Sequence, residues 1–250
     1  MITQLRDAEI AKAVRLVYGL AGIAVEDCVP HIAPLSTFIE AYPIRSTEIP
    51  NLTYESAVHF LARETGQTMP SPPIQGKLAG FLYVYEYRGY FYGCILVEAN
   101  DSIARRRFSA AHELGHYLLH FLPLLKRGHR LSSEALVLTE GLNYNADLEG
   151  EDDIPFGELQ VAHDSSSDQQ EISINIQQME REANQFAAEL LIPALSCRAL
   201  VEEFSPRFSK RLRVLTRRLA TEFLVSPEAM KWRLTGLGLL ENSVVETHGD

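Results

Sequence analysis

Residues 109–120 read SAAHELGHYLLH, with His112 and His116 four positions apart and Glu113 beside the first. On a helix, two such histidines share one face with Cβ atoms about 6 Å apart. From that spacing two imidazoles reach one tetrahedral metal ion. A bound ion lowers the pKa of a water molecule toward ~7, and Glu113 stands where it can take the proton as general base. This is the HExxH pattern of zinc peptidases. The short pattern also arises by chance, and its plain reading is a solvated helix face carrying two histidines. Ala110, Ala111, Leu114, Leu118 and Leu119 around it point instead to a buried helix. Buried histidines need partners.

A catalytic zinc site needs a third protein ligand and an open position. His120 continues the row of the two histidines, but a straight helix rises about 6 Å per four residues. Three ligands in one row therefore do not close on a single ion, and His120 is expected to be structural, capping the helix C-terminus. The metzincin spacing fails as well, because position 122 is Leu122. A second segment, residues 180–193, reads EREANQFAAELLIP. Glu180 and Asn184 share a helix face there. Glu180 could ligate zinc, and Asn184 could accept a hydrogen bond from a ligand histidine's other ring nitrogen. Small Ala183, Ala187 and Ala188 would let this helix approach the first closely. The plain alternative is an amphipathic helix with Glu180 and Glu182 in solvent.

Taken together, SAAHELGHYLLH at 109–120 and EREANQFAAELLIP at 180–193 resemble the ImmA/IrrE family of metallopeptidases. The stretch LATEFLVSPEAMKWRLTGLGLL, 219–240, is similar to the closing helices of that family. The resemblance implies zinc bound by His112, His116 and a glutamate of the second motif, with Glu113 catalytic. The family's ExxAN register carries the ligand to Glu180, with Glu182 as the runner-up. It also implies an intracellular regulatory setting: a peptidase cleaving a helix-turn-helix repressor, or acting in a toxin–antitoxin pair.

Outward from the motifs, the chain reads as α+β. A mainly helical zincin-like core of gluzincin type is expected, with a small antiparallel sheet and C-terminal helices. Residues 78–100, rich in aromatic and β-branched side chains around Arg88-Gly89, predict a hairpin with strands near 80–87 and 90–98. The second of these strands is expected to offer an edge for an extended peptide. Helices are expected at 5–19, at 53–65 behind Thr53, at 102–120, and from Met179 to the stop at Pro193. Residues 30–50 and 68–77 read as loops. Between Leu131 and Glu180 there is no Lys or Arg, and an acidic, loop-rich insert is expected over about 126–178, bordering the cleft. Three regions follow: an N-terminal helical region 1–76, a peptidase core 77–195 containing the insert, and a C-terminal helical region 196–250.

Composition sets the outer bounds. Hydrophobic residues at 46% and charged residues at 22% fit a globular chain. A net charge of −10 disfavours the chain as a whole on nucleic acid or anionic membrane. Arg105, Arg106 and Arg107, and the locally basic stretch 198–240, are where nucleic acid would bind. A solvated turn and surface helix charge are the simpler readings, so no nucleic-acid partner is predicted. Cys28, Cys94 and Cys197 form no CxxC pair, which fits a reducing cytoplasm. The first residues lack the pattern of a secretory signal, and no apolar run is long enough for a membrane span. Tyr117, Tyr144 and His163 are oxyanion-stabiliser candidates by residue type alone. The expectation is a zinc metalloendopeptidase with a protein substrate. The alternative is a regulatory or DNA-binding protein of the same fold that acts by binding. An intact Glu113 favours the first, since a zinc scaffold has no need of that carboxylate.

Overall fold

The computed structural model describes residues 2–24, 32–66, 76–88, 90–123, 136–140, 176–208 and 212–239. Cys28, Tyr144, His163 and most of the acidic insert lie outside the described residues. The chain order is α1 (Ile2–Leu20), α2 (Leu35–Glu40), β1 (Ile44–Ile49), α3 (Tyr54–Thr65), β2 (Gly80–Tyr87), β3 (Tyr90–Glu98) and α4 (Ile103–His116). A π-helical turn (Tyr117–Phe121) continues α4. Then come β4 (Leu136–Glu140), α5 (Ile176–Leu191), α6 (Ala194–Phe208), α7 (Leu212–Phe223) and α8 (Pro227–Gly236). The fold is α+β, as the sequence predicts. No helix of the described residues is long and apolar enough to cross a membrane.

The hairpin forms where alternation places it. Tyr87 pairs with Tyr90 across a two-residue turn, with Arg88 in the left-handed region at φ 54°. The sheet is larger than that hairpin, with strand order β1-β3-β2-β4. It is mixed: β2 runs antiparallel to β3 and β4, whereas β1 runs parallel to β3. This corrects the expectation that β3 offers an edge for a peptide. β3 is hydrogen-bonded on both sides, by β1 and β2, so its backbone groups are taken. Among the described residues the edges belong to β1 and β4.

Period-two alternation divides the hairpin between two cores. Phe81, Tyr83, Cys94 and Leu96 face α3, packing with Leu52, Ala57 and Leu61. Leu82, Val84, Ile95 and Val97 face the other way, into a larger cluster with Ala110, Ala111 and Leu114 of α4 and Phe186 and Leu190 of α5. The sheet thus has α3 on one face and the motif helix on the other. Helix α3 starts at the expected place because Thr53 and Ser56 form a reciprocal capping box, and it ends at Gly66 with φ 70°.

Glu98 joins the end of β3 to the approach of α3 and to the turn before α4. Its carboxylate accepts from the backbone N–H of Asn51 (3.0 Å), Leu52 (2.6 Å) and Asn100 (2.8 Å). Burial alone would raise its pKa, but those three N–H groups and the Lys77 charge outweigh burial and hold it below the usual carboxylate range. Ser102 then caps α4 by accepting from Arg105 N–H. The three arginines that follow are all hydrogen-bonded or ion-paired within the fold. Arg105 pairs with Asp101 at 3.0 Å, Arg106 with Glu48, and Arg107 donates to the Ala33 carbonyl at 2.9 Å.

A candidate metal centre between two helices

Helices α4 and α5 cross closely because small residues line the contact. Ala183, Ala187 and Ala188 are fully buried. A Cβ on Gly115 would stand 2.9 Å from Phe186 Cδ1 and 3.3 Å from Ala183 Cα. Only a glycine at that position allows this approach. His112, Glu113 and His116 are buried on α4, and Glu180 and Asn184 come from the facing side of α5.

The Nε2 atoms of His112 and His116 lie 2.9 Å apart. Glu180 presents one carboxylate oxygen to each: Oε2 is 3.2 Å from His112 Nε2 and Oε1 is 3.3 Å from His116 Nε2. His112, His116 and Glu180 form a group whose donor atoms all lie within 4.8 Å of one another. An ion with four bonds of ~2.0–2.1 Å sets its ligand atoms roughly 3.3 Å apart, and the gap between the two nitrogens and the two nitrogen–oxygen gaps, each to a different Glu180 oxygen, lie near that length. Two imidazoles and a carboxylate are also a fitting donor set for a borderline ion. The His112 ring is oriented from behind, its Nδ1 lying 3.0 Å from Asn184 Oδ1. With a metal ion bound, an oxygen acceptor there would hold the proton on Nδ1 and leave the Nε2 lone pair for the ion.

Burial, and then the neighbouring His112, push the His116 pKa down to about 4, so its imidazole is neutral at neutral pH. Burial would raise Glu180, but hydrogen bonds from His112 and then His116 leave it well below the usual carboxylate range. The group therefore offers a neutral His116 imidazole and an anionic Glu180 carboxylate, the protonation states a metal ion requires.

His120 does not cap the helix end. After His116 the backbone widens into the π turn, where Leu122 N–H bonds to the Tyr117 carbonyl five residues back. The His120 ring sits with Nδ1 3.0 Å from His116 Nδ1 and Nε2 3.2 Å from Glu182 Oε2. Glu182, the runner-up as third ligand, is thus turned away from the Nε2 atoms and toward His120. Spacing alone missed this pair because it presumed a straight α-helix. Tyr117 is no oxyanion candidate: it is 1% exposed, packed in the core beside Tyr42 and against Gly93. Burial, and then Tyr42, push its phenol up to about 12.

No curated protein matches the chain significantly. The family model of peptidase M78, described as the IrrE N-terminal-like domain, matches residues 67–136 and 159–235, the stretches that carry both motif helices. That match covers more than half of the chain, and the protein belongs to the IrrE N-terminal-like family of peptidases.

Proposed function

We propose that this chain is a zinc-dependent, site-specific endopeptidase whose substrate is a regulatory protein, such as a helix-turn-helix repressor or an antitoxin. The observation that carries the reading is the convergence of His112 Nε2, His116 Nε2 and both Glu180 oxygens beside the buried Glu113. Zinc held there would supply Lewis-acid activation of water and of a peptide carbonyl. Glu113, next to His112 on the same helix, takes the water proton as general base and returns it to the leaving amine. Asn184 holds His112 so that its Nε2 faces inward. Glu180, with its side chain 23% exposed where both histidines are at 2%, marks the side from which substrate enters. A net charge of −10 favours a basic partner, and DNA-binding regulators are basic.

Glu113→Gln tests the chemistry. The substitution keeps size and removes the base, so the variant should retain fold and zinc. It should cleave the partner about 10²–10⁴-fold more slowly. The assay is co-expression or mixing with candidate helix-turn-helix proteins, followed by mass spectrometry of the fragments. Full activity in Glu113→Gln would overturn the peptidase reading and favour action by binding alone.

A further inference from the structure

Strand β1 is an edge of the sheet among the described residues, and its outward backbone groups can be identified. The N–H groups of Gly93 and Ala99 donate to the Pro43 and Ile49 carbonyls at 2.9 and 3.0 Å. In a parallel ladder, alternate residues of a strand bond to the same neighbour. The odd-numbered residues of β1 therefore face β3, and Ser46 and Glu48 direct their backbone N–H and C=O groups outward. Side chains alternate as well. Ile44 packs in the core that includes α4, and Glu48 pairs with Arg106 of α4. On the other face Arg45 pairs with Glu64 of α3 at 2.6 Å, and Ile49 packs against the α3 cluster. Charged side chains commonly shield an edge strand. Here Arg45 and Glu48 are each tied to a helix on their own face of the sheet.

An open groove lies on each face of this edge. One, of about 760 Å³, runs between β1, α2 and the first turns of α4, with Ser46, Ile39, Ile103, Arg106 and Arg107 among its walls. The other, of about 770 Å³, lies between β1 and α3, with Ile49, His59, Phe60 and Arg63 among its walls. Thr47 and Glu48 line both, so the two grooves meet at the strand. Arg107 brings the first groove a charge without a counter-charge. Its Nη2 donates to the Ala33 carbonyl at 2.9 Å, its buried Nε has no acceptor among the described residues, and no carboxylate among them pairs with it. Burial lowers its pKa, and the Tyr18 phenol, rather than an acid, opposes that shift. By helical period, residues 103, 106, 107 and 110 form one stripe of α4, whereas His112 and His116 lie on the opposite side. An occupant of this edge leaves the candidate metal centre open.

We propose that the open edge of β1 docks an extended peptide segment of a partner protein, added as a strand with alternate side chains in the two grooves and an aspartate or glutamate against Arg107. The free backbone edge selects an extended chain. The grooves on both faces give its alternating side chains room. The unbalanced guanidinium selects a carboxylate. The net charge of −10 repels acidic partners at long range, so this preference is a short-range one, for a single carboxylate within a segment. The docking edge stands whether or not the metal centre is active.

The test uses the full-length chain and fluorescein-labelled hexapeptides with Val at alternate positions and Thr, Gln or Glu at the others, read by fluorescence anisotropy. Peptides with a glutamate should bind about 10-fold more tightly than their Gln counterparts. N-methylation of alternate peptide residues should abolish binding in one phase and spare it in the other, because a strand donates to its neighbour from every second residue. Ser46→Pro removes an outward N–H and no ladder bond, so it should leave thermal unfolding near native and weaken peptide binding by about 10-fold or more. Arg107→Gln should erase the preference for glutamate, and Arg107→Lys should keep it. No binding by any peptide at ~1 mM would overturn the proposal. Equal affinity for Glu and Gln peptides, or a folded Ser46→Pro chain with native affinity, overturns it as well. A native dimer that Ser46→Pro turns into a monomer, read by sedimentation, would give the edge to a second copy of this chain instead of a partner's peptide.

Discussion

Glu98 shows how much one buried carboxylate organises. It satisfies three backbone N–H groups from two separate turns, and those turns set the starts of α3 and α4. Glu98→Gln keeps the shape but removes the charge and one acceptor oxygen. A loss of about 1.5–3 kcal/mol is expected, read from urea unfolding of the full chain. The pH dependence follows from the direction of the shift. The folded pKa lies below the unfolded value of 4.5, so on acidification the unfolded chain takes up the proton first. The stabilisation is therefore complete above pH 4.5 and is lost as the pH falls through the folded value. In Glu98→Gln that part of the acid sensitivity should be absent, and an unchanged acid profile would contradict the assignment. The site residues were unequally legible at this scale. A four-residue spacing on regular helices brought out His112 and His116 and the shared face of Glu180 and Asn184, whereas the choice of Glu180 over Glu182 came from the family resemblance. The His120–Glu182 contact depends on the π turn, and no local propensity encodes an i→i+5 bond.

Among the elements, the crossing of α4 and α5 decides whether the five polar side chains meet at all. Gly115→Ala puts a methyl group 2.9 Å from Phe186 Cδ1 and 3.3 Å from the backbone of Ala183. The phenylalanine ring can shift, but the backbone contact requires the helices to part by a few tenths of an ångström. Overpacking of this kind costs about 1–3 kcal/mol. Glu180 lies one turn before Ala183, so the shift should weaken metal binding along with stability. Thermal unfolding and Zn²⁺ titration of the same sample check this; unchanged values for both would show that the interface has slack. Elements with strong local signals were readable: the alternating hairpin, the capped α3, and α5 ended by Pro193. The missed ones lack such signals. β1, IRSTEI, is mostly polar because it is an edge strand, and its partner β3 lies more than forty residues away. The six residues of α2 are too few to display a helical period.

For the whole molecule, α5 is the element on which the distant parts of the chain converge. Tyr18 of α1 donates its hydroxyl to the Leu190 carbonyl at 2.7 Å. Arg233 of α8, 9% exposed, donates to the Ile192 carbonyl at 3.1 Å and lies 3.5 Å from Glu189. The charge of Arg233 is thus used within the fold, and the basic character of 198–240 overstates the surface available to nucleic acid. Arg233→Met should lower stability by about 1.5–3 kcal/mol, since a buried charged donor is removed from its acceptors. A stability loss within experimental error would show that α8 docks by apolar packing alone. The central claim is that the two motif helices build one metal site, and metal analysis of purified full-length protein tests it most directly. Native protein and Glu113→Gln, loaded with zinc and freed of excess, should each hold one zinc ion per chain. Folded Glu180→Ala should hold much less, whereas Glu182→Ala, whose lost carboxylate faces His120, should still reach saturation. Zinc retained in full by Glu180→Ala, or absent from the native chain, would contradict the account.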